Sequence, residues 1–170
     1  EFVTAQSASL IGPRQSEAME ALASESAVIR LVHERAVERG DPETSLSLIG
    51  QLWRFWANRG LFQDARDLID RSFQGRVVEP TPLWAAALRG GAVIAEIQSD
   101  WVAARKWGME SLEIWEALGD RTQMANAWID FGNVHSSAGE LDVARSSYER
   151  AEALAIEANN ERLAFIANGS

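Results

Sequence analysis

Residues 128–151 read WIDFGNVHSSAGELDVARSSYERA. Gly139 divides this segment into two halves, and in each half the apolar and small residues recur every three or four positions, which is the spacing of an amphipathic helix. Neither half alternates apolar and polar residues with the period of two that a strand requires. The segment therefore predicts two helices that are joined by a tight turn at Gly139.

The same pattern recurs earlier in the chain at an offset of about 40 residues. Ala104-Arg105 aligns with Ala144-Arg145, and Ala65-Arg66 aligns in turn with Ala104-Arg105. Small residues at these places let the two helices of a hairpin approach closely, and each hairpin then needs a neighbour to bury its apolar face. The sequence predicts an all-α array of three hairpins, over about 42–73, 82–118 and 121–158.

The rest of the chain extends this array at both ends. We expect one N-terminal helix from about Ser16 to Arg39 and a partial C-terminal helix over 161–167, so that residues 16–168 form a single repeat domain. Residues 1–15 are small, polar and aperiodic, which predicts a disordered leader. Glu1-Phe2 and Gly169-Ser170 are the dipeptides that cloning sites encode, and we expect both to be linker residues.

Composition narrows the function. The chain has 170 residues, 46% of them apolar, which is enough to bury a core. Its formal net charge of −9 repels phosphate backbones and anionic lipid, so we expect no direct nucleic-acid partner and no membrane partner. It has no cysteine and two histidines, and no nucleophile–base or metal constellation is visible. We expect no metal, no cofactor and no enzymatic activity.

The third hairpin resembles the tetratricopeptide repeat (TPR) family. The residues that carry the resemblance are a bulky residue, a Leu-Gly-like pair, an aromatic position and an Ala-Tyr-Ala series: Trp128, Phe131-Gly132, His135, Gly139, Ala144, Tyr148 and Ala151. The second hairpin matches less well, and in the first one Trp53 stands where a small residue is usual. The resemblance implies a right-handed TPR-like solenoid.

A particular branch of the family is also suggested. The period near 40 and the segments 40–43, 52–60 and 118–121 resemble the C-terminal TPR-like region of bacterial STAND-type ATPase regulators of the LuxR and AfsR kind. This resemblance implies a cytoplasmic module for transcription regulation or signal transduction within a larger bacterial protein. The ATPase part has no counterpart here, because no G-x-x-x-x-G-K-[ST] motif occurs.

The resemblance also implies where a partner binds. In this family the first helix of each repeat lines a groove, and the corresponding positions are Gln51, Arg54, Asn58, Arg89, Val93, Glu96, Asn126, Ile129, Asn133 and Ser137. Amide and guanidinium groups among apolar neighbours are suited to an extended peptide. We therefore expect a protein, a peptide or another domain of the parent chain as partner. The alternative is a small-molecule inducer bound inside the solenoid.

The remaining titratable residues suggest structure rather than chemistry. Neither histidine has the spacing of a metal-ligand set, so we expect His33 to be a solvated surface residue. We expect His135, at an aromatic signature position, to pack between helices and make a hydrogen bond. Glu110, Glu113 and Glu116 share one helix face, which is typical of a solvated charged surface.

Seven tryptophans are present. The repeat alignment predicts core positions for Trp53, Trp56, Trp101 and Trp128. Trp84, Trp107 and Trp115 are not fixed by the pattern, and we interpret them as a candidate interface between repeats, chains or partners. The array also ends on apolar residues, and we expect homodimerisation through this exposed end, which is formed by Leu163, Phe165 and Ile166.

Overall fold

The computed structural model describes residues 1–75 and 79–169, and these residues form ten α-helices and no strand. The helices are α1 Phe2–Ser7, α2 Gln15–Ser24, α3 Ser26–Glu38, α4 Pro42–Arg59, α5 Phe62–Phe73, α6 Pro82–Ile97, α7 Trp101–Leu118, α8 Arg121–Ser137, α9 Leu141–Glu157 and α10 Glu161–Asn168. The pairs α4–α5, α6–α7 and α8–α9 are the three predicted hairpins, and α10 is the partial C-terminal helix. The prediction of an all-α repeat array is confirmed.

Aspartates begin three of these helices, and glycines end two of them. The carboxylates of Asp41, Asp100 and Asp120 each accept a hydrogen bond from the backbone N–H three residues further on, at 3.0–3.1 Å. Gly60 and Gly119 take the left-handed conformation after α4 and α7, with φ of 71° at both. The positions of these turns are therefore determined by residues close by in the sequence, and for this reason the repeat pattern predicted them.

The N-terminal helix differs from the prediction. The expected single helix over 16–39 is broken at Glu25, and α3 buries Ile29, His33 and Ala36, which are spaced by four and three residues. Val32, which precedes His33, is 44% exposed. Position 33 rather than position 32 therefore faces the core. The prediction of a solvated His33 is wrong, because its side chain is completely buried.

The first fifteen residues also differ from the expected disordered leader. Phe2–Ser7 is helical, Val3 packs against the core, and Leu10 is 2% exposed. Helix α1 has no side-chain cap, and a helix of six residues is too short to be stable alone. Contacts with the body therefore hold it in place, among them the hydrogen bond that Ser7 Oγ donates to Gln51 Oε1 at 3.3 Å.

The tryptophans are packed between helices. Trp84, Trp107 and Trp115 are 5–8% exposed, and Phe73 lies between the first two, with ring centroids 5.6 Å from Trp84 and 5.3 Å from Trp107. These three residues were expected as a candidate interface, but their burial leaves no ring face for an outside partner. Through Phe73 of α5, Trp84 and Trp107 join the first hairpin to the second, so they form an interface between repeats. Of the four predicted core tryptophans, Trp56 and Trp128 are buried, and Trp53 and Trp101 are half-buried.

The C-terminal end is only partly apolar at its surface. Leu163 was expected to be exposed, but α10 turns it inward and it is buried. Phe165 is 80% exposed and Ile166 is also exposed. Homodimerisation through this end stays a prediction that now depends on these two side chains.

Trp53 replaces the usual small residue of the first hairpin, and a glycine on the next hairpin makes room for it. A Cβ atom at Gly90 would lie 2.9 Å from Trp53 Cδ1 and 3.1 Å from Trp53 Cβ. Gly50 faces Ala86 in the same way, with its own Cβ position 3.1 Å from the Ala86 methyl. Helix α4 therefore packs closely on α6, across the boundary between two hairpins.

This contact leads to a prediction with a built-in control. Gly90→Ala should lower the free energy of unfolding by about 1 kcal/mol, because overpacking costs about 1–3 kcal/mol and helix propensity returns up to about 1 kcal/mol. Gly108→Ala, on α7, should raise it by about 0.5–1 kcal/mol, because its Cβ would meet only ordinary contacts at 3.6 and 3.9 Å. Urea denaturation measures both, and equal effects of the two substitutions would contradict the close contact.

Candidate functional site

The groove face is the surface of α4, α6 and α8 that carries the ten residues expected to bind a partner. Most of them are half-buried; Asn58 and Ser137 are exposed, and Ile129 is buried. In a solenoid of helical hairpins, such neighbouring helices form an extended concave surface. The groove face is thus partly desolvated, and polar groups on it interact more strongly than they would in open water.

Two polar contacts join α6 to α8 on this face. Arg89 forms an ion pair with Asp130, and Ser137 Oγ donates a hydrogen bond to Glu96 Oε1 at 2.9 Å. Burial raises the pKa of Glu96, the hydrogen bond from Ser137 lowers it, and the charge of Asp130 raises it further. The carboxylates of α6 and α8 are therefore held in place by neighbours from the other helix.

Two guanidinium groups lie over the indole ring of Trp53. The Arg54 guanidinium carbon lies 4.1 Å from the indole ring centroid, and that of Arg89 lies 5.8 Å from it, distances at which a cation is attracted to the ring face. Burial lowers the pKa of Arg54, as do the charges of Arg89 and Arg162, and Asp130 opposes them. Trp53 therefore brings positive charge from two hairpins together.

The other predicted groove residues make more local contacts. The side-chain amides of Asn58 and Asn126 donate to backbone carbonyls one turn earlier in their own helices, at 2.8 and 3.1 Å. Gln51 donates to Ser47 Oγ at 2.6 Å and accepts from Ser7 of α1, so α1 covers this end of α4.

On α8, the Asn133 side-chain oxygen accepts a hydrogen bond from Tyr148 Oη at 2.9 Å, and Tyr148 belongs to α9. These contacts do not join the cluster of Arg54, Arg89 and Asp130.

Two residues of the groove face were missed by the sequence reasoning. Trp53 was interpreted as a core residue, although it is half-buried and holds both guanidiniums. Asp130 was not considered, although it lies four residues after Asn126 and three before Asn133. Helical spacing alone places Asp130 on the same face.

Residues 1–75 and 79–169 contain no cluster of three or more histidine, aspartate or glutamate side chains that could hold a metal ion. His135 is buried, packs against Phe131 and bonds to Glu140 across the turn before α9. In the same described ranges, no helix has both the length and the apolar character needed to cross a membrane.

The fold is that of a TPR-like helical-repeat solenoid. Residues 83–157, which span α6 to α9, match the model of the tetratricopeptide repeat family. The crystal structure of BtubC (BKLC) from P. vanneervenii has a similar fold, with a TM-score of 0.60, 16% sequence identity and coverage of 89% of this chain and 76% of that chain. At this identity the likeness shows the fold alone. A comparison with curated proteins gives no match.

Proposed function

We propose that this chain is a non-enzymatic protein–protein interaction module and that its groove face binds an extended segment of a partner protein. TPR repeats generally mediate such interactions, and the fold is typical of scaffolds. The observation that carries the proposal is the row of half-buried amide, carboxylate and guanidinium groups on α4, α6 and α8, the first helices of three consecutive hairpins. Such groups match the backbone amides and charged side chains of an extended peptide.

The test starts from selection of a random 12-residue peptide library, displayed on phage, against the whole chain. Peptides enriched on the wild-type chain are synthesised, and their affinities are measured by fluorescence polarisation. Arg89→Glu should weaken binding by at least tenfold, because it puts two carboxylates side by side and removes a guanidinium from Trp53. Asn133→Ala should weaken binding by about fivefold, the value of one neutral hydrogen bond.

The matched control is Arg121→Glu, which makes the same charge change at the start of α8. Arg121 is exposed and pairs with Glu157 of α9 rather than with the groove cluster. Its peptide affinity should stay within twofold of wild type, and circular dichroism melts check that every variant is folded. Unchanged binding in both Arg89→Glu and Asn133→Ala would remove the groove from the proposal.

The cellular setting is part of the same proposal. The resemblance to STAND-type regulators supports a role as a regulatory module of a larger cytoplasmic bacterial protein, whose partner is a protein or another domain of the same chain. Sequencing the surrounding reading frame tests this. A Walker motif or a DNA-binding domain next to residues 1–170 would support the regulator, and an unrelated enzyme domain would count against it.

The alternative of an inducer bound inside the solenoid has weaker support. It requires open indole faces on which an aromatic or sugar ligand can stack. Trp56 and Trp84 are buried between helices, and the face of Trp53 already holds two guanidiniums. We therefore place the peptide-binding role first.

A further inference from the structure

A cleft lies between α3 and α4 at the N-terminal end of the array, and residues of α1 line one side of it. Its volume is about 550 Å³, which is typical of sites that enclose a group of a partner molecule. Val28 and Val32 of α3 and Leu48 of α4 are among the apolar side chains that line it. Both valines are exposed, so the outer side of α3 is open to solvent.

The rim of this cleft is acidic. Glu25, which precedes α3, and Glu43, in the first turn of α4, both line it, and no lysine, arginine or histidine side chain of the described residues does so. Neither carboxylate makes an ion pair within residues 1–75 and 79–169. The cleft therefore favours a partner that presents exposed apolar side chains next to a cation.

Helix α10 presents such a surface at the other end of the array. It packs on α8 and α9, whereas α3 packs on α2, α4 and α5. Arg162, Phe165 and Ile166 are all exposed and, at helical spacing, lie on one face of α10. Phe165 is the most exposed large apolar side chain of the described residues, and Arg162 makes no ion pair with any of them.

We propose that copies of this chain associate head to tail, with the exposed face of α10 of one copy seated in the cleft between α3 and α4 of the next. In this contact Phe165 and Ile166 pack against Val28 and Val32, and Arg162 lies beside the acidic rim. The contact covers the open side of α3 with a helix, as neighbouring hairpins cover one another within the array.

Charge distinguishes this contact from a symmetric dimer through α10. A symmetric dimer would pair two apolar faces but leave Arg162 and the acidic cleft of both copies without a partner. The head-to-tail contact joins two different surfaces of opposite charge, so association can continue beyond two copies. Because α10 has eight residues, the contact buries little area, and we expect it to be weak.

The test measures the average mass of the whole chain by sedimentation. The mass of wild type should rise with concentration up to about 1 mM, where a contact with a Kd of about 0.1 mM is mostly formed. Val28→Asp in the cleft and Phe165→Ser on α10 should each weaken association by about tenfold or more. The matched control is Val102→Asp, at an exposed valine of α7, which should leave it within about twofold of wild type.

Mixing the two weakened variants is the decisive step, because each of them retains one intact surface. Val28→Asp supplies Phe165, and Phe165→Ser supplies the cleft, so the mixture should form one-to-one pairs and nothing larger. Arg162→Glu should also weaken association of the otherwise unchanged chain by about fivefold or more, because it places a carboxylate at the acidic rim. Circular dichroism melts check that every variant is folded.

Three results would overturn the proposal. The first is a wild-type chain that stays monomeric up to that concentration, and the second is a mixture of the two variants that stays monomeric. The third is loss of association in Phe165→Ser with none in Val28→Asp, which would indicate a symmetric dimer through α10. Neither substitution changes a groove position, so the outcome is separate from that of the peptide selection.

Discussion

Replacing Trp107 with alanine should lower the free energy of unfolding by about 3–5 kcal/mol, which is the usual cost of truncating a buried tryptophan. Trp107 is 8% exposed and packs edge-on against Phe73, with ring centroids 5.3 Å apart. The Arg66 guanidinium also lies over the ring, with its carbon 4.9 Å from the ring centroid. The ring fills the space where α5, α6 and α7 meet, next to Gly91 and Phe73, so its removal leaves a cavity in the core.

Val102→Ala is the matched control for this prediction, because it truncates an apolar residue of the same helix that is 76% exposed. It should change the free energy of unfolding by less than about 0.5 kcal/mol. Trp107→Phe should retain part of the stability, since the aromatic contact with Phe73 survives. Urea denaturation followed by circular dichroism measures all three variants, and a loss below about 1 kcal/mol for Trp107→Ala would contradict the packing described.

The second large effect is a loss of stability in acid that depends on His33. The pKa of His33 is lowered from 6.5 to about 4, mainly by burial and also by the charge of Arg71, while the charge of Glu34 and a hydrogen bond to the Ser45 backbone partly oppose this. Ser72 Oγ donates to the Leu68 carbonyl at 2.9 Å, so it is left to accept from His33 Nε2 at 3.3 Å. The ring is therefore held neutral in the folded chain.

The direction of the pH effect follows from linkage. Between pH 6.5 and 4 the unfolded chain binds a proton at His33 that the folded chain does not, so stability falls as the pH falls through this range. The loss relative to pH 7.5 should be about 2 kcal/mol at pH 5 and about 3 kcal/mol at pH 4. Urea denaturation at these three pH values measures it.

His33→Leu provides the comparison, because leucine fills much of the same volume and leaves the Ser72–Leu68 hydrogen bond in place. Carboxylates titrate in both proteins, so the difference between wild type and variant isolates the histidine. Identical pH dependence in the two proteins would show that His33 is not held neutral by the fold.

The sequence predicts the parts of this molecule that local contacts determine. The two helices of each hairpin meet through small residues at fixed spacing, and short caps such as Asp100 and Asp120 begin the helices. All of these features lie within one repeat of about 40 residues. The sequence alone could therefore place the three hairpins.

Contacts between hairpins are harder to predict, because they depend on how the first helices pack side by side. Gly90 accommodates Trp53 from another hairpin, and nothing near Gly90 in the sequence indicates this partner. The break at Glu25 likewise changes the buried face of α3 and brings His33 inside. The ten groove positions were predicted from a family resemblance. The contacts of Arg54 and Arg89 on this face, however, are made with Trp53 and Asp130, which were not among those ten.

The place of Trp53 has a consequence for how this chain can change over evolution. The same indole packs against Gly90 between α4 and α6 and stacks with the guanidinium of Arg54. A substitution at Gly90 that shifts the ring would also re-aim the guanidinium, although residue 90 itself need not touch a ligand. The packing between two hairpins and the position of a groove cation therefore depend on one side chain, and a change in either alters the other.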